Sequence, residues 1–274
     1  MSDAATSSGV TVSAPGKILL AGGYLVLEEP NCGLVVAADK RFYTSCYSKN
    51  STEIKTNGEV HIRVESPQFH SIWNYTYDEY NRLTPCPDNE SANPFVEKTL
   101  RVCLVYLLRQ HSSNETGEAS NSSSFSLSIL IRADNDFYSV LPHLPTKLSC
   151  NRTLTDVSTL RRFLPCPRDE TTGKAIVHKT GLGSSAALTT SLVGALVHYF
   201  RPQWQQQKQE DNPILAIIHN LAQVRHAYAQ GKIGSGFDVS AACYGTHVYR
   251  RFPKCLLTDL LQKLDEYEQN YSTD

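Results

Sequence analysis

No run of apolar residues in this sequence approaches the roughly 20 that a membrane-spanning helix requires. No charged leader followed by an apolar stretch opens it either, so no secretory signal is expected. An excess of one charge is missing too. Lys and Arg number 26 and Asp and Glu 27, for a net charge of −1. That balance excludes the broad basic face that nucleic acid or an anionic membrane surface would demand. An anionic ligand must then be held by local features. The cysteines, at 32, 46, 86, 103, 150, 166, 243 and 255, form no C-x-x-C pair, which argues against a zinc site. Reduced thiols in a cytoplasmic protein are the expectation. Asn-x-Ser/Thr triplets begin at Asn50, Asn74, Asn89, Asn114, Asn121, Asn151 and Asn270, and without export they carry no glycosylation. There is no internal repeat.

What is present is enough for a sizeable core: 274 residues, 41% hydrophobic and 19% charged. The first part reads as β. Residues 10–13 and 17–20 flank a turn signal at Ala14-Pro15-Gly16, and 34–37 and 42–47 are rich in β-formers. Residues 59–64 alternate as a half-buried strand does, and 71–77 form an aromatic strand. Asn93 and Pro94 open a helix that runs to about residue 110, with Phe95, Val102, Cys103, Tyr106 and Leu107 as its apolar stripe. Residues 111–124 are an exposed loop, 125–131 a strand and 132–173 a long irregular connection. A strand at 175–178, helices at 185–200 and 213–230, and a strand at 246–252 follow. An amphipathic tail helix begins at Leu256.

Three short segments carry chemistry. Lys179-Thr180-Gly181-Leu182-Gly183-Ser184-Ser185-Ala186-Ala187 lies between an expected strand and an expected helix. Gly181 and Gly183 let the backbone come close to a ligand, and the free N–H groups of a helix start attract an anion. The spacing is neither that of the Walker A loop nor that of the dinucleotide fingerprint. A plain glycine turn with a serine cap is the alternative. Lys17, after Pro15-Gly16, would serve best above a transferring phosphoryl group, where negative charge spreads. A solvated strand-end lysine is the alternative. Gly231, Gly234 and Gly236 precede Asp238, which suits a general base, a cation-positioning carboxylate, or the cap of a short helix over 239–244.

Taken in order, Pro15-Gly16-Lys17-Ile18-Leu19-Leu20, Gly181-Leu182-Gly183-Ser184-Ser185-Ala186 and Ser235-Gly236-Phe237-Asp238 resemble the three signatures of the GHMP kinase superfamily. Within it, Ala21-Gly22-Gly23-Tyr24-Leu25-Val26-Leu27, His178-Lys179-Thr180 and residues 231–242 and 248–252 are most similar to phosphomevalonate kinases of the fungal and plant type. The match is dense over 10–47 and 174–252 and thin between.

The resemblance implies an α+β fold: a GHMP kinase N-terminal domain, similar to domain 2 of ribosomal protein S5, with a mixed or antiparallel sheet and helices. It assigns residues 1–252 to that ATP-binding domain and 253–274 to a shortened tail, without the ferredoxin-like C-terminal domain. It implies ATP and Mg²⁺ as cofactors and mevalonate 5-phosphate as the small-molecule substrate, in isoprenoid synthesis. Lys17 and Asp238 would be the catalytic pair and residues 179–187 the nucleotide cradle. Ser185 would face the metal, and Lys17, Tyr24, Ser235 and Gly236 would meet the substrate. Activity of this chain by itself is expected to be weak or absent. Another GHMP kinase acting on mevalonate or a sugar, or a non-catalytic nucleotide-binding module, remains open.

Overall fold

The computed structural model describes residues 9–48, 59–112, 125–144, 159–206 and 213–271. Most of the expected loop at 111–124, and residues 145–158 of the long connection, lie outside them.

Among the described residues a sheet runs in the order β1-β2-β6-β3-β4-β5, with β7 beside β2. The strands are β1 Gly9–Ala21, β2 Cys32–Ser48, β3 Val60–Ser66, β4 Ser71–Tyr77, β5 Leu83–Pro85, β6 Phe125–Ala133 and β7 His247–Arg250. The pairing of β3 with β6 is parallel and the rest are antiparallel. The sheet is therefore mixed, as the resemblance implied.

One expected turn is not a turn. Ala14-Pro15-Gly16 lies inside one continuous strand: Pro15 opposes Arg41 and Lys17 opposes Ala37, so the surplus residues of β2 bulge. Proline is tolerated because β1 is an edge strand of the sheet. The two β segments expected between 34 and 47 likewise join into β2. The strand expected at 175–178 does not form. Ile176 N–H donates to the Pro167 carbonyl and the His178 carbonyl accepts from Ser139, so scattered single bonds replace a ladder.

The helices are α1 Pro94–Ser112, α2 Ser184–Phe200, α3 Ile214–Gln230, α4 Phe237–Tyr244 and α5 Cys255–Tyr271. Asn93 Oδ1 accepts the N–H groups of Phe95 and Val96 and so caps α1. Gly231, in the left-handed region with φ 65°, ends α3. The buried stripe of α1 is Val96, Leu100, Cys103, Leu104 and Leu107, a helical spacing rotated from the expected one. Phe95, Val102 and Tyr106 flank it, half-buried.

Helix α2 was expected to bury one side, yet nearly every residue from Ser184 to Val197 is buried. It packs on β1 and β2 below and between α1 and α3 above. Small residues allow this enclosure, and Thr44 Oγ1 and Ser191 Oγ satisfy each other at 2.9 Å inside it. At Gly194 α2 crosses close to β1: a Cβ there would lie 2.8 Å from Val12 Cγ1.

Alanine in a helix normally gains about 1 kcal/mol over glycine. At Gly194 the collision with a stiff β-branched side chain outweighs that, since overpacking costs about 1–3 kcal/mol. Gly194→Ala is therefore expected to lower stability in chemical denaturation. A variant as stable as the parent would show that α2 can lift from β1 freely.

Candidate functional site

The loop before α2 is shaped by its glycines. Gly183 caps the helix from the left-handed region, φ 78°, and makes no side-chain capping bond. The N–H groups of the first turn are thus left without a side-chain cap at the point where the helix dipole is positive. A Cβ at Gly181 would meet nothing within 4 Å, so the loop's outer side is open. Its base is fixed. Thr180 donates from its amide to the Phe137 carbonyl and from Oγ1 to the Asp136 carbonyl. Ser184 is buried and hydrogen-bonded to the Tyr138 phenol, whose pKa burial pushes up.

Lys17 closes the loop from the strand side. Its N–H donates to the Leu182 carbonyl at 2.9 Å, using a donor that edge strand β1 has to spare. Its Nζ donates to the Gly181 carbonyl at 2.9 Å. The ammonium also lies 5.7 Å from the centre of the Phe237 ring. Burial pushes the Lys17 pKa below the ordinary lysine value, and the Asp238 carboxylate pulls the other way. The lysine at 17 and the aspartate at 238 thus share one site.

Asp238 is not the cap of its helix. Gly236 is, in the left-handed region, and Asp238 stands in the first turn, accepting the Val239 N–H at 3.0 Å. The glycine-rich segment before it is clamped by two side chains of the 248–252 stretch, to which the sequence assigned no part in the site. Tyr249 Oη donates to the Ser235 carbonyl at 2.6 Å. The buried Arg251 donates to the carbonyls of Gly234 at 2.6 Å and Leu27 at 2.9 Å.

Another residue that sequence reasoning missed is His226 of α3. It is buried, and its Nε2 lies 3.0 Å from Ser185 Oγ, 3.1 Å from Gln230 Nε2 and 3.8 Å from Asp238 Oδ2. Burial pushes its pKa down, with Asp238 opposing and the nearby Lys179 charge adding to the fall. No spacing signal marks it. It looks like any residue of an amphipathic helix.

Lys179 itself is exposed beside the loop, and Ala186 and Ala187 are buried in the start of α2. Tyr24 stands apart: it sits on a 3-10 turn, Gly23–Leu27, and is 90% exposed. Among the described residues no group of three or more His, Cys, Asp or Glu is placed to hold a metal. The Ser185 hydroxyl and Asp238 carboxylate are hard oxygen donors grouped around one imidazole nitrogen. They fit a Mg²⁺ ion that takes its remaining oxygens from phosphates and water.

Residues 157–246 match the family described as GHMP kinases N terminal domain. A phosphomevalonate kinase of Candida albicans is 37% identical over 263 residues, spanning 96% of this chain and 53% of that relative. The chain carries the GHMP kinase N-terminal domain. An Arabidopsis thaliana protein named phosphomevalonate kinase, peroxisomal, is also 37% identical, over 89% of this chain and 50% of its own length. The chain thus spans about half the length of the curated relatives it matches. A crystal structure of the Streptococcus pneumoniae phosphomevalonate kinase shares the fold, with a TM-score of 0.50, 13% identity and coverage of 94% of this chain and 52% of that one.

Two outcomes follow from the lysine clasp. At Gly16 a Cβ would lie 2.9 Å from the Leu182 carbonyl oxygen. Gly16→Ala is therefore expected to pry the loop from β1 and cost about 1–3 kcal/mol in denaturation. An unchanged midpoint would show the clasp to be slack. Lys17 has a folded-state pKa below 10.5, so the unfolded chain holds that proton more tightly. At neutral pH the desolvation penalty is carried in full, and it fades as pH rises through the window up to 10.5. Lys17→Met should then be at least as stable as the parent at neutral pH, with an advantage that shrinks toward that upper limit. A variant clearly less stable at neutral pH would mean that the hydrogen bond to Gly181 outweighs burial.

Proposed function

We propose that this chain binds ATP with Mg²⁺ and directs the γ-phosphoryl group to mevalonate 5-phosphate, giving mevalonate 5-diphosphate and ADP. The observation that carries the reading is the convergence of Lys17, the loop from Gly181 to Ser185 and Asp238 at the mouth of a buried helix. Relatives that carry the name phosphomevalonate kinase supply the choice of acceptor.

In this reading the first-turn amides of α2 hold the nucleotide's phosphates, and Ser185 offers its hydroxyl to the ion. Mg²⁺, when bound, supplies charge neutralisation across the phosphates. Lys17 faces the charge that spreads over the equatorial oxygens during transfer, in a half-buried setting where that charge matters most. An oxygen of the acceptor phosphate forms the new bond to phosphorus as the bond to the ADP oxygen breaks. The acceptor is a phosphate monoester with a second pKa of about 6, so it arrives largely dianionic at neutral pH. It needs no proton removed. Asp238 is then free to orient Lys17 and the acceptor rather than to act as a base. Ser235, held through its carbonyl by Tyr249, and Gly236, next to the Gly234 that Arg251 holds, shape the acceptor's side of the site. Tyr24 would reach the acceptor only by moving from its exposed position.

The test is acceptor-dependent ADP release, paired with the melting temperature with and without Mg·ATP. A nucleotide at about 100 times its Kd should stabilise the fold by roughly 2.7 kcal/mol. Lys17→Met is expected to reduce release by roughly 100- to 1000-fold, and Asp238→Asn by clearly less. Equal, total loss in both variants would contradict this division of labour. A melting temperature indifferent to Mg·ATP would remove the nucleotide reading altogether.

A further inference from the structure

One imidazole touches three helices at this site. His226 lies on α3, Ser185 opens α2 and Asp238 stands in the first turn of α4. A serine hydroxyl is a rotor that can present either its proton or its lone pairs to a ligand. A divalent cation needs the lone pairs. Something must then take the proton on the inner side. The groups within hydrogen-bond reach of His226 Nε2 are the Ser185 hydroxyl at 3.0 Å and the Gln230 amide nitrogen at 3.1 Å. The Gln230 amide nitrogen can only donate, which makes the ring nitrogen the acceptor, places the ring proton on Nδ1 and leaves the Ser185 hydroxyl to donate as well.

We propose that His226 is a positioning residue of the phosphate site: its Nε2 accepts the hydrogen bond of the Ser185 hydroxyl and so turns the lone pairs of Ser185 Oγ toward a divalent cation carried in with the nucleotide. Gln230, one helical turn away, holds the ring in that tautomer. The Phe95 ring, 5.8 Å from the imidazole centre, holds its plane. The enclosure excludes water that would otherwise compete for the hydroxyl. The Asp238 carboxylate, 3.8 Å from the same nitrogen, is thereby kept at a fixed spacing from Ser185. The sequence-derived set of site residues contains none of His226, Gln230 and Phe95.

This assignment rests on the nucleotide reading above, and the experiment separates the two. Calorimetric titration of the full chain with ATP is run with and without MgCl₂, on the parent, His226→Phe and His226→Gln, alongside their melting temperatures. The parent should bind ATP more tightly with Mg²⁺ present. His226→Phe should lose about tenfold of affinity in the Mg²⁺ titration only, as the loss of an outer-shell partner of a metal ligand does. His226→Gln, whose amide oxygen can still accept the hydroxyl's hydrogen bond, should recover part of the gain. If His226→Phe does not fold, His226→Gln carries the comparison through its reduced Mg²⁺ gain. Variants that keep the parent's full Mg²⁺ gain would overturn the assignment. So would variants weakened alike with and without Mg²⁺, because that is the mark of a purely structural histidine. A parent that binds no ATP under either condition would overturn the nucleotide reading itself.

Discussion

Two hydrogen bonds from one residue hold this site together. Lys17 donates from its backbone to Leu182 and from its side chain to Gly181, and so fastens the edge of the sheet to the loop that opens α2. The bond partners are 164 positions apart in sequence for the side-chain contact, so the clasp closes a very long loop of chain. It is possible only because the surfaces that meet have no Cβ. One at Gly183 would press on Lys17 Cε at 3.1 Å, and one at Gly16 would collide with the loop's backbone. The irregularity in the β1–β2 ladder falls between Pro15 and Lys17, next to the residue that makes the clasp.

Given that clasp, the rest of the architecture reads as support for an open helix end. Helix α2 is buried along nearly all its length, and its N-terminus follows a loop whose outer side is open. A helix so enclosed sits in a medium of low effective dielectric, where the positive end of its dipole and a half-buried ammonium act over longer range than they would in water. The penalty appears in the lowered pKa of Lys17, a group that folding alone would sooner leave in solvent. A site that burdens the fold in this way is retained for what it does.

The carboxylate side is built differently. Asp238 is presented by a short helix whose glycine-rich approach has little structure of its own. Arg251 ties that approach to the end of the 3-10 turn after β1, and Tyr249 ties it to β7. The Tyr249 phenol is driven up to about 12, chiefly by burial, so it remains a donor throughout the working pH range. His226 then links the two sides, which makes the distance between α2 and α4 a property of the packed helices rather than of flexible loops.

Most of the elements were legible in the sequence, because local signals fix them: the Asn93 cap, the Gly231 stop, the alternation of β3 and the apolar periods of α1, α2 and α3. The motif residues Lys17, Gly181 to Ser185 and Asp238 were legible for a related reason, since glycines and single charges in unusual company stand out against an ordinary background. The misses share a cause. Whether Ala14-Pro15-Gly16 turns or bulges depends on β2 alongside it, and whether residues 175–178 form a strand depends on what lies beside them, which among the described residues is a set of single bonds rather than a ladder. The rotation of the α1 stripe was settled by which helices lie against it. His226 was invisible, and Arg251 and Tyr249, though in a stretch the resemblance picked out, had no role, because a buried polar side chain declares its purpose only through the atoms it meets. The sequence by itself determined the elements and the chemical groups on offer, which are set by nearest neighbours along the chain. Only the tertiary structure decided which of those groups face one another, because contacts between residues far apart in the chain are chosen by packing and hydrogen-bond satisfaction, which no local pattern encodes.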